Sequence, residues 1–294
     1  MFKRVLLSVI TSTALFSAGL SHASELTIGS KAYAEQLLLA EMTSQLLNEN
    51  GFKAKKMTGM GSSLLRQAME NAQIDLCWEY TGTSLVTYNK ITDRLSPDET
   101  YERVKELDAR KNIIWLNPSD ANNTYAVAVR SDDENTKDLN TLSDLAQAYN
   151  DGRKLSMATS PEFPKREDGL LGLQKTYDFK TGRRNLSPMH AGLVYQALRD
   201  GQVDVAMVFS TDGRIAAFDF RVLEDDRGFF PSYAMTPTVR KEVLQANPEL
   251  EPLLNKLSAV LDDETMQRLN AQVAVDEVSV EKVAKEFLKK HDLI

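Results

Sequence analysis

Apolar residues recur along this chain in two alternating rhythms. Short apolar or alternating runs at 26–28, 52–57, 74–80, 125–129, 155–158 and 203–209 read as strands. Between them, apolar positions three and four apart predict helices over 35–50, 64–71, 142–149, 169–177 and 192–200. In the first of these, Leu38, Met42 and Leu46 share one face and Gly51 supplies the stop. From Thr238 onward the pattern is helical, over 239–246, 250–261, 264–271 and 280–289. Such strand–helix alternation predicts an α/β protein with mainly parallel sheets covered by helices on both faces. No Pro/Gly-rich linker divides the chain, so any two domains are joined by ordered crossings.

The N-terminal segment departs from this rhythm. Lys3 and Arg4 precede an apolar run from Val5 to Leu20, and Ser21-His22-Ala23 follows as a small-x-small triplet. That is the layout of an export signal, residues 1–23, cleaved near Ala23. A membrane anchor fits less well, because Thr11, Ser12 and Thr13 interrupt the run. The expected product is a soluble, acidic, exported protein, and the signal is of a bacterial kind.

Charge and rare residues then narrow the chemistry. Asp and Glu outnumber Lys and Arg by 42 to 35, so the chain lacks the basic surface of a general nucleic-acid binder. A single cysteine, Cys77, excludes an intramolecular disulfide, and it lies in an apolar strand where an inert thiol is expected. With three histidines, a Cys/His metal site is not expected, and no cofactor motif is present. Gly59-x-Gly61-Ser62-Ser63 precedes a helix and suits a turn with a serine N-cap. Its free N–H groups, with Ser62 or Ser63, also suit an anion such as a ligand carboxylate.

Aromatic residues carry more information. Tyr80 ends a strand before Thr81-Gly82-Thr83, and Phe209 ends another before Ser210-Thr211-Asp212-Gly213. Asn122-Asn123-Thr124 leads into Tyr125, and Phe230-Pro231-Ser232 leads into Tyr233. Ligands of open α/β sheets bind beyond the carboxyl ends of strands. Rings converging there would favour a cation without N–H donors, because ring faces attract charge without hydrogen bonding. Taken singly, each ring is more often core than cage.

Six motifs in order resemble one family. They are Ile28-Gly29-Ser30-Lys31 with Glu35-Gln36, and Ile74-Asp75-Leu76-x-x-Glu79-Tyr80-Thr81-Gly82-Thr83. Asn122-Asn123-Thr124-Tyr125, Glu162-Phe163-x-x-Arg166-Glu167-Asp168-Gly169 and Ser210-Thr211-Asp212-Gly213-Arg214 continue the series. Leu223-Glu224-Asp225-Asp226 through Phe230-Pro231-x-Tyr233 completes it. From about Leu26 to the C-terminus the chain is similar to the substrate-binding proteins of ABC importers for glycine betaine, choline, carnitine and related quaternary amines.

The resemblance implies a two-lobed periplasmic binding-protein fold (type II-like) with a hinge and a central ligand cleft. Residues 24–128 and 229–294 would form a discontinuous first lobe and residues 129–228 the second. The crossings fall near 126–129 and 229–233. It also implies an aromatic cage of Tyr80, Tyr125, Phe209 and Tyr233. The third position is usually tyrosine in the family, so Phe209 keeps the ring and loses a hydroxyl. The implied carboxylate clamp is Lys31, Thr83 and Arg166, with Glu162 orienting Arg166 and Gln36 as a further pocket residue. An ion pair within Lys165-Arg166-Glu167-Asp168 is the plainer role for Arg166. The implied partners are a small quaternary-ammonium ligand and the permease subunits of an inner-membrane ABC transporter; a monomer is expected.

Two other readings stay open. An amino acid or polyamine would want acidic or carbonyl acceptors, and Glu79 would supply one if it points inward. An exported enzyme on the same scaffold is the other, since fold alone does not set function. No nucleophile–base pair or metal cluster supports it, so a binding protein without catalysis is expected.

Overall fold

A computed structural model describes residues 25–294. The expected export signal lies outside the described residues. Among the described residues, ten strands form two five-stranded sheets. The first holds β1 (Leu26–Lys31), β2 (Ala54–Met60), β3 (Leu76–Tyr80), β4 (Ile113–Trp115) and β10 (Met235–Arg240), in the order β2-β1-β3-β10-β4. The second holds β5 (Tyr125–Arg130), β6 (Met157–Thr159), β7 (Leu186–Pro188), β8 (Val205–Phe209) and β9 (Phe220–Val222), in the order β7-β6-β8-β5-β9. Two copies of one layout therefore face each other, each with a parallel trio and an antiparallel fourth strand.

The sheets are mixed, which corrects the expectation of mainly parallel ones. The antiparallel strands are β10 and β5, each entered from the neighbouring lobe and so running opposite to the parallel trio. Strand β10 also corrects the reading of 239–246 as helix: pairing with β3 and β4 holds the chain extended to Arg240, and the helix is confined to Lys241–Ala246.

Apolar periodicity explains the helices that cover the sheets. Helix Ala34–Glu49 buries Leu38, Leu39, Met42, Leu46 and Leu47, because sheet strands lie on one side and helix Val280–Lys290 on the other. Gly51 follows the C-cap Asn50 with φ of 85°, a conformation that favours glycine and turns the chain into β2. Helix Pro97–Ala109 starts in a capping box between Ser96 and Glu99. Among the described residues no helix is long and apolar enough to cross a membrane.

The lobes are joined by two paired segments. Asn122 bridges Ala234 antiparallel, the Asn123 N–H donates to the Tyr233 carbonyl (3.2 Å), and the Tyr233 N–H donates to the Asn122 side chain (2.7 Å). Strand β5 is hydrogen-bonded to β8 from Tyr125 onward, so the chain enters the second sheet ahead of 126–129. An apolar run with both faces buried belongs in a sheet interior, not in a crossing.

Candidate functional site

Both parallel trios point their carboxyl ends at one cavity of about 320 Å³. Each strand brings its last residue, or the turn beyond it, to the wall. β1 ends in Lys31 and leads to Ala32 and Tyr33, β2 leads to Gly61 and Ser62, and β3 ends in Tyr80. From the other sheet, β6 leads to Ser160, Pro161 and Glu162, β7 leads to His190 and Ala191, and β8 ends in Phe209. The crossing segments add Asn123, Tyr125 and Tyr233. This placement is the one that open α/β sheets favour for ligands.

Five rings line the cavity. Tyr33 stacks on Phe209 with centroids 5.2 Å apart and planes 15° from parallel. Tyr125 lies 5.3 Å from Phe209 and meets Tyr233 edge-on at 5.5 Å. Tyr80 is buried, and its hydroxyl donates to Glu35 (2.6 Å) behind the wall. Burial first, and then neighbouring negative charge, pushes the Tyr80 and Tyr233 hydroxyls well above the usual tyrosine range. Tyr125 is pushed up to about 12, chiefly by burial. All three therefore stay protonated near neutrality. Tyr33 escaped the sequence reading. Its signal is the one that picked out Tyr80 and Phe209, an aromatic at or just past the carboxyl end of a strand.

The predicted cage residues Tyr80, Tyr125, Phe209 and Tyr233 are thus brought together, and Lys31, Thr83 and Glu162 line the same cavity. Gln36 lies behind the lining, and Arg166 borders it, with Nη2 3.4 Å from Thr83 and Nη1 3.9 Å from Glu162. Gln36 donates to the Tyr80 hydroxyl and the Trp78 carbonyl (both 3.1 Å) and accepts from the Lys31 N–H (3.2 Å), so it positions the wall. Thr83 opens a turn of π-helix, Thr83–Tyr88, a distortion common at functional sites.

The charged residues are arranged differently from expectation in two respects. Arg166 donates through Nε to Asp168 (2.7 Å) and through Nη2 to the other Asp168 oxygen, and Asp168 also accepts from the Tyr233 hydroxyl (2.8 Å). Asp168, not Glu162, orients this guanidinium, because a planar fork two residues away matches both carboxylate oxygens. The pair is buried, unlike the surface ion pair that the local sequence suggested. Glu162 lies 3.9 Å from Arg166 Nη1 and instead accepts from the Ser62 N–H (2.9 Å) and hydroxyl (2.8 Å).

Those last bonds also correct the expectation for the Gly-Ser turn. Gly61, not a serine, is the N-cap of helix Ser62–Glu70, and the anion on the free N–H is Glu162 from the other lobe. A Cβ on Gly61 would come within 2.5 Å of the Glu162 carboxylate, so a larger residue there would push that carboxylate aside.

Glu79 does not face the cavity. It accepts from the Lys31 ammonium (2.5 Å), from the Tyr80 N–H (2.9 Å) and from the Tyr88 hydroxyl (2.9 Å). Cys77 is buried, bonded to the Thr238 hydroxyl (3.3 Å), and burial pushes its thiol up to about 12, which leaves it inert. Among the described residues, no three Asp, Glu, His or Cys side chains gather as a metal site would need.

Two facing lobes with one ring-lined cavity between their strand ends define a two-lobed solute-binding protein. Comparison with known proteins gives the class its family. Residues 24–290 match the substrate-binding domain of ABC-type glycine betaine transport systems, and the chain belongs to that family. It is 41% identical over 286 residues to a glycine-betaine-binding protein of Pseudomonas aeruginosa, covering 95% of this chain and 92% of that one. It is 34% identical to the glycine betaine-binding protein YehZ of Escherichia coli, covering 94% and 93%. A solved glycine betaine/carnitine/choline ABC transporter structure superposes with a TM-score of 0.72 at 32% identity, covering 91% of this chain and 99% of that one.

Proposed function

We propose that this protein captures a quaternary-ammonium compatible solute, glycine betaine or a related betaine, choline or carnitine, and delivers it to the permease of an ABC importer. The observation that carries the reading is the convergence of Tyr33, Tyr80, Tyr125, Phe209 and Tyr233 on one cavity. Ring faces bind a trimethylammonium group without needing N–H donors from it. Two of the rings already hold protein cations: Lys31 Nζ is 4.7 Å from the Tyr80 centroid, and the Arg166 guanidinium carbon is 5.4 Å from that of Tyr125. Lys31, Thr83 and the Nη1 of Arg166 would receive a ligand carboxylate, and the paired crossing segments would act as the hinge on which the second lobe, from Tyr125 onward, closes. The protein would work as a monomer in the periplasm.

An amino acid or polyamine fits less well. Glu79, the acceptor that a primary ammonium would seek, is spent on Lys31, Tyr80 and Tyr88. Calorimetry of the purified protein against glycine betaine, carnitine, choline, proline and putrescine tests the reading. Saturable binding of the first three, with none consumed in a parallel turnover assay, is the expected result. Tighter binding of putrescine or proline would reject it.

A further inference from the structure

We propose that the buried carboxylate of Glu35 makes this cavity selective for a cation over a neutral molecule of the same shape, acting through the Tyr80 hydroxyl. The inference rests on the quaternary-ammonium reading above and concerns a residue behind the cavity wall.

Five carboxylates are buried among the described residues: Glu35, Glu41, Glu79, Asp108 and Asp168. Four of them face a cation at ion-pair distance: Glu41 has Lys56, Glu79 has Lys31, Asp108 has Arg66 and Asp168 has Arg166. Glu35 has none among the described residues. Its oxygens accept from Tyr80 Oη (2.6 Å), Thr211 Oγ1 (2.5 Å), Asn270 Nδ2 (3.1 Å) and Asn123 Nδ2. All four partners donate, so the network is wired for an anion. The N-terminus of helix Ala34–Glu49 offsets part of the charge. An unmatched buried carboxylate is still costly, and burial pushes the Glu35 carboxyl up from its ordinary value.

The missing counter-charge is the ligand. Tyr80 spans the gap, with its hydroxyl on Glu35 and its ring on the cavity. A charge-assisted bond of this length draws the phenol proton toward the carboxylate and leaves the ring face more negative. Lys31 also lies over this ring, but Glu79 balances its charge. Tyr233 provides an internal comparison. Its hydroxyl also donates to a buried carboxylate, Asp168, whose charge Arg166 neutralises. The effect is therefore concentrated at Tyr80. Glu35 touches no ligand; it is a positioning residue.

The test compares choline with its neutral isostere, in which carbon replaces the quaternary nitrogen, by ligand-detected NMR that reads weak binding. Glu35→Gln and Tyr80→Phe should each cut the preference for choline over the isostere by about five- to thirtyfold, and Glu35→Gln should leave the isostere's affinity unchanged. Tyr233→Phe should change the preference less. The double variant should lose no more than either single one, because both break the same route. Should Glu35→Gln fail to fold, Tyr80→Phe alone decides. Equal weakening of both ligands would make Glu35 a fold or hinge residue and overturn the inference. An undiminished Glu35→Gln effect in the Tyr80→Phe background would overturn the route through the hydroxyl. Unchanged preference with intact choline binding rejects this inference and spares the parent reading; a wild-type protein that binds no quaternary ammonium rejects both.

Discussion

Two buried arginine–aspartate pairs in this molecule look alike and do different work. In the first lobe, Arg66 donates both terminal nitrogens to Asp108 (2.8 Å each), while Asp108 also accepts from Ser84 (2.8 Å), Asn89 (3.0 Å) and Trp115 (2.8 Å). The Arg66 Nε is taken by Glu70 (2.6 Å). Each of the three guanidinium nitrogens is engaged, and the pair holds helix Ser62–Glu70, the π-turn and helix Pro97–Ala109 together. Beside the cavity, Arg166 grips Asp168 in the same forked way, but its Nη1 reaches only Glu162 at 3.9 Å and its Nη2 meets Thr83 at 3.4 Å. Saturation separates the two. A pair with every guanidinium nitrogen engaged is architecture, whereas a pair with a nitrogen to spare beside a cavity can still take a ligand.

Breaking the saturated pair should have the largest effect. Asp108→Ala strands Arg66 in the interior, and urea unfolding should show a loss of about 3–5 kcal/mol. Choline affinity of the protein that remains folded should be unchanged. Burial tends to raise the Asp108 carboxyl, but Arg66 and the neutral donors outweigh it and hold it below the usual range. Its stabilisation is therefore complete above the ordinary aspartate value and is lost as pH falls through the lowered one. Asp108→Asn should accordingly flatten the acid limb of the stability profile.

Arg166→Ala addresses the unsaturated pair. It should weaken a betaine about ten- to hundredfold more than choline in calorimetry, roughly 1.5–3 kcal/mol, since only the betaine has a carboxylate to lose. Equal weakening of both ligands would move Arg166 into the architectural class and erase the contrast.

Ser62→Ala sharpens the comparison from the side of Glu162. Loss of the hydroxyl bond, worth about 0.5–1.5 kcal/mol, frees Glu162 to approach Arg166 Nη1. Betaine affinity should fall in the same direction as with Arg166→Ala but by less, and choline should hardly respond. Stronger betaine binding would mean that the backbone N–H at position 62, vacated by Glu162, had been freed for the ligand.

Phe209→Leu is the control outside both pairs. It removes a ring face and should cost betaine and choline alike, by about 0.5–1 kcal/mol, while Phe209→Tyr changes little. A shift in the betaine-to-choline ratio would show that this ring acts on the carboxylate end.

Much of this layout is legible in the sequence because it is local. Apolar spacing and Gly51 place the helix over 35–50, close to its true bounds of Ala34–Glu49. Tyr80 and Phe209 stand out as ring-bearing strand ends, and the six ordered motifs lead to the family. What periodicity could not carry were contacts across long separations. A strand edge with a helical rhythm, such as 239–240, becomes extended only because β3 and β4 pair with it. The family resemblance implies Glu162 as the partner of Arg166, yet the free N–H of Ser62, 100 residues away, offers a better site than a guanidinium already taken by Asp168.

The sequence by itself determined most of the elements, since backbone preference and apolar period act over a few residues. Its six ordered motifs, through the family they resemble, implied the two lobes and four of the rings on the cavity. Only the tertiary structure decided which charges meet: Asp168 on Arg166, Glu162 on the Ser62 helix, and Glu35 without a cation behind Tyr80. Ion pairs and buried hydrogen bonds depend on distance in space and on what else is within reach, and both come into being only when the sheets have paired and the lobes face each other.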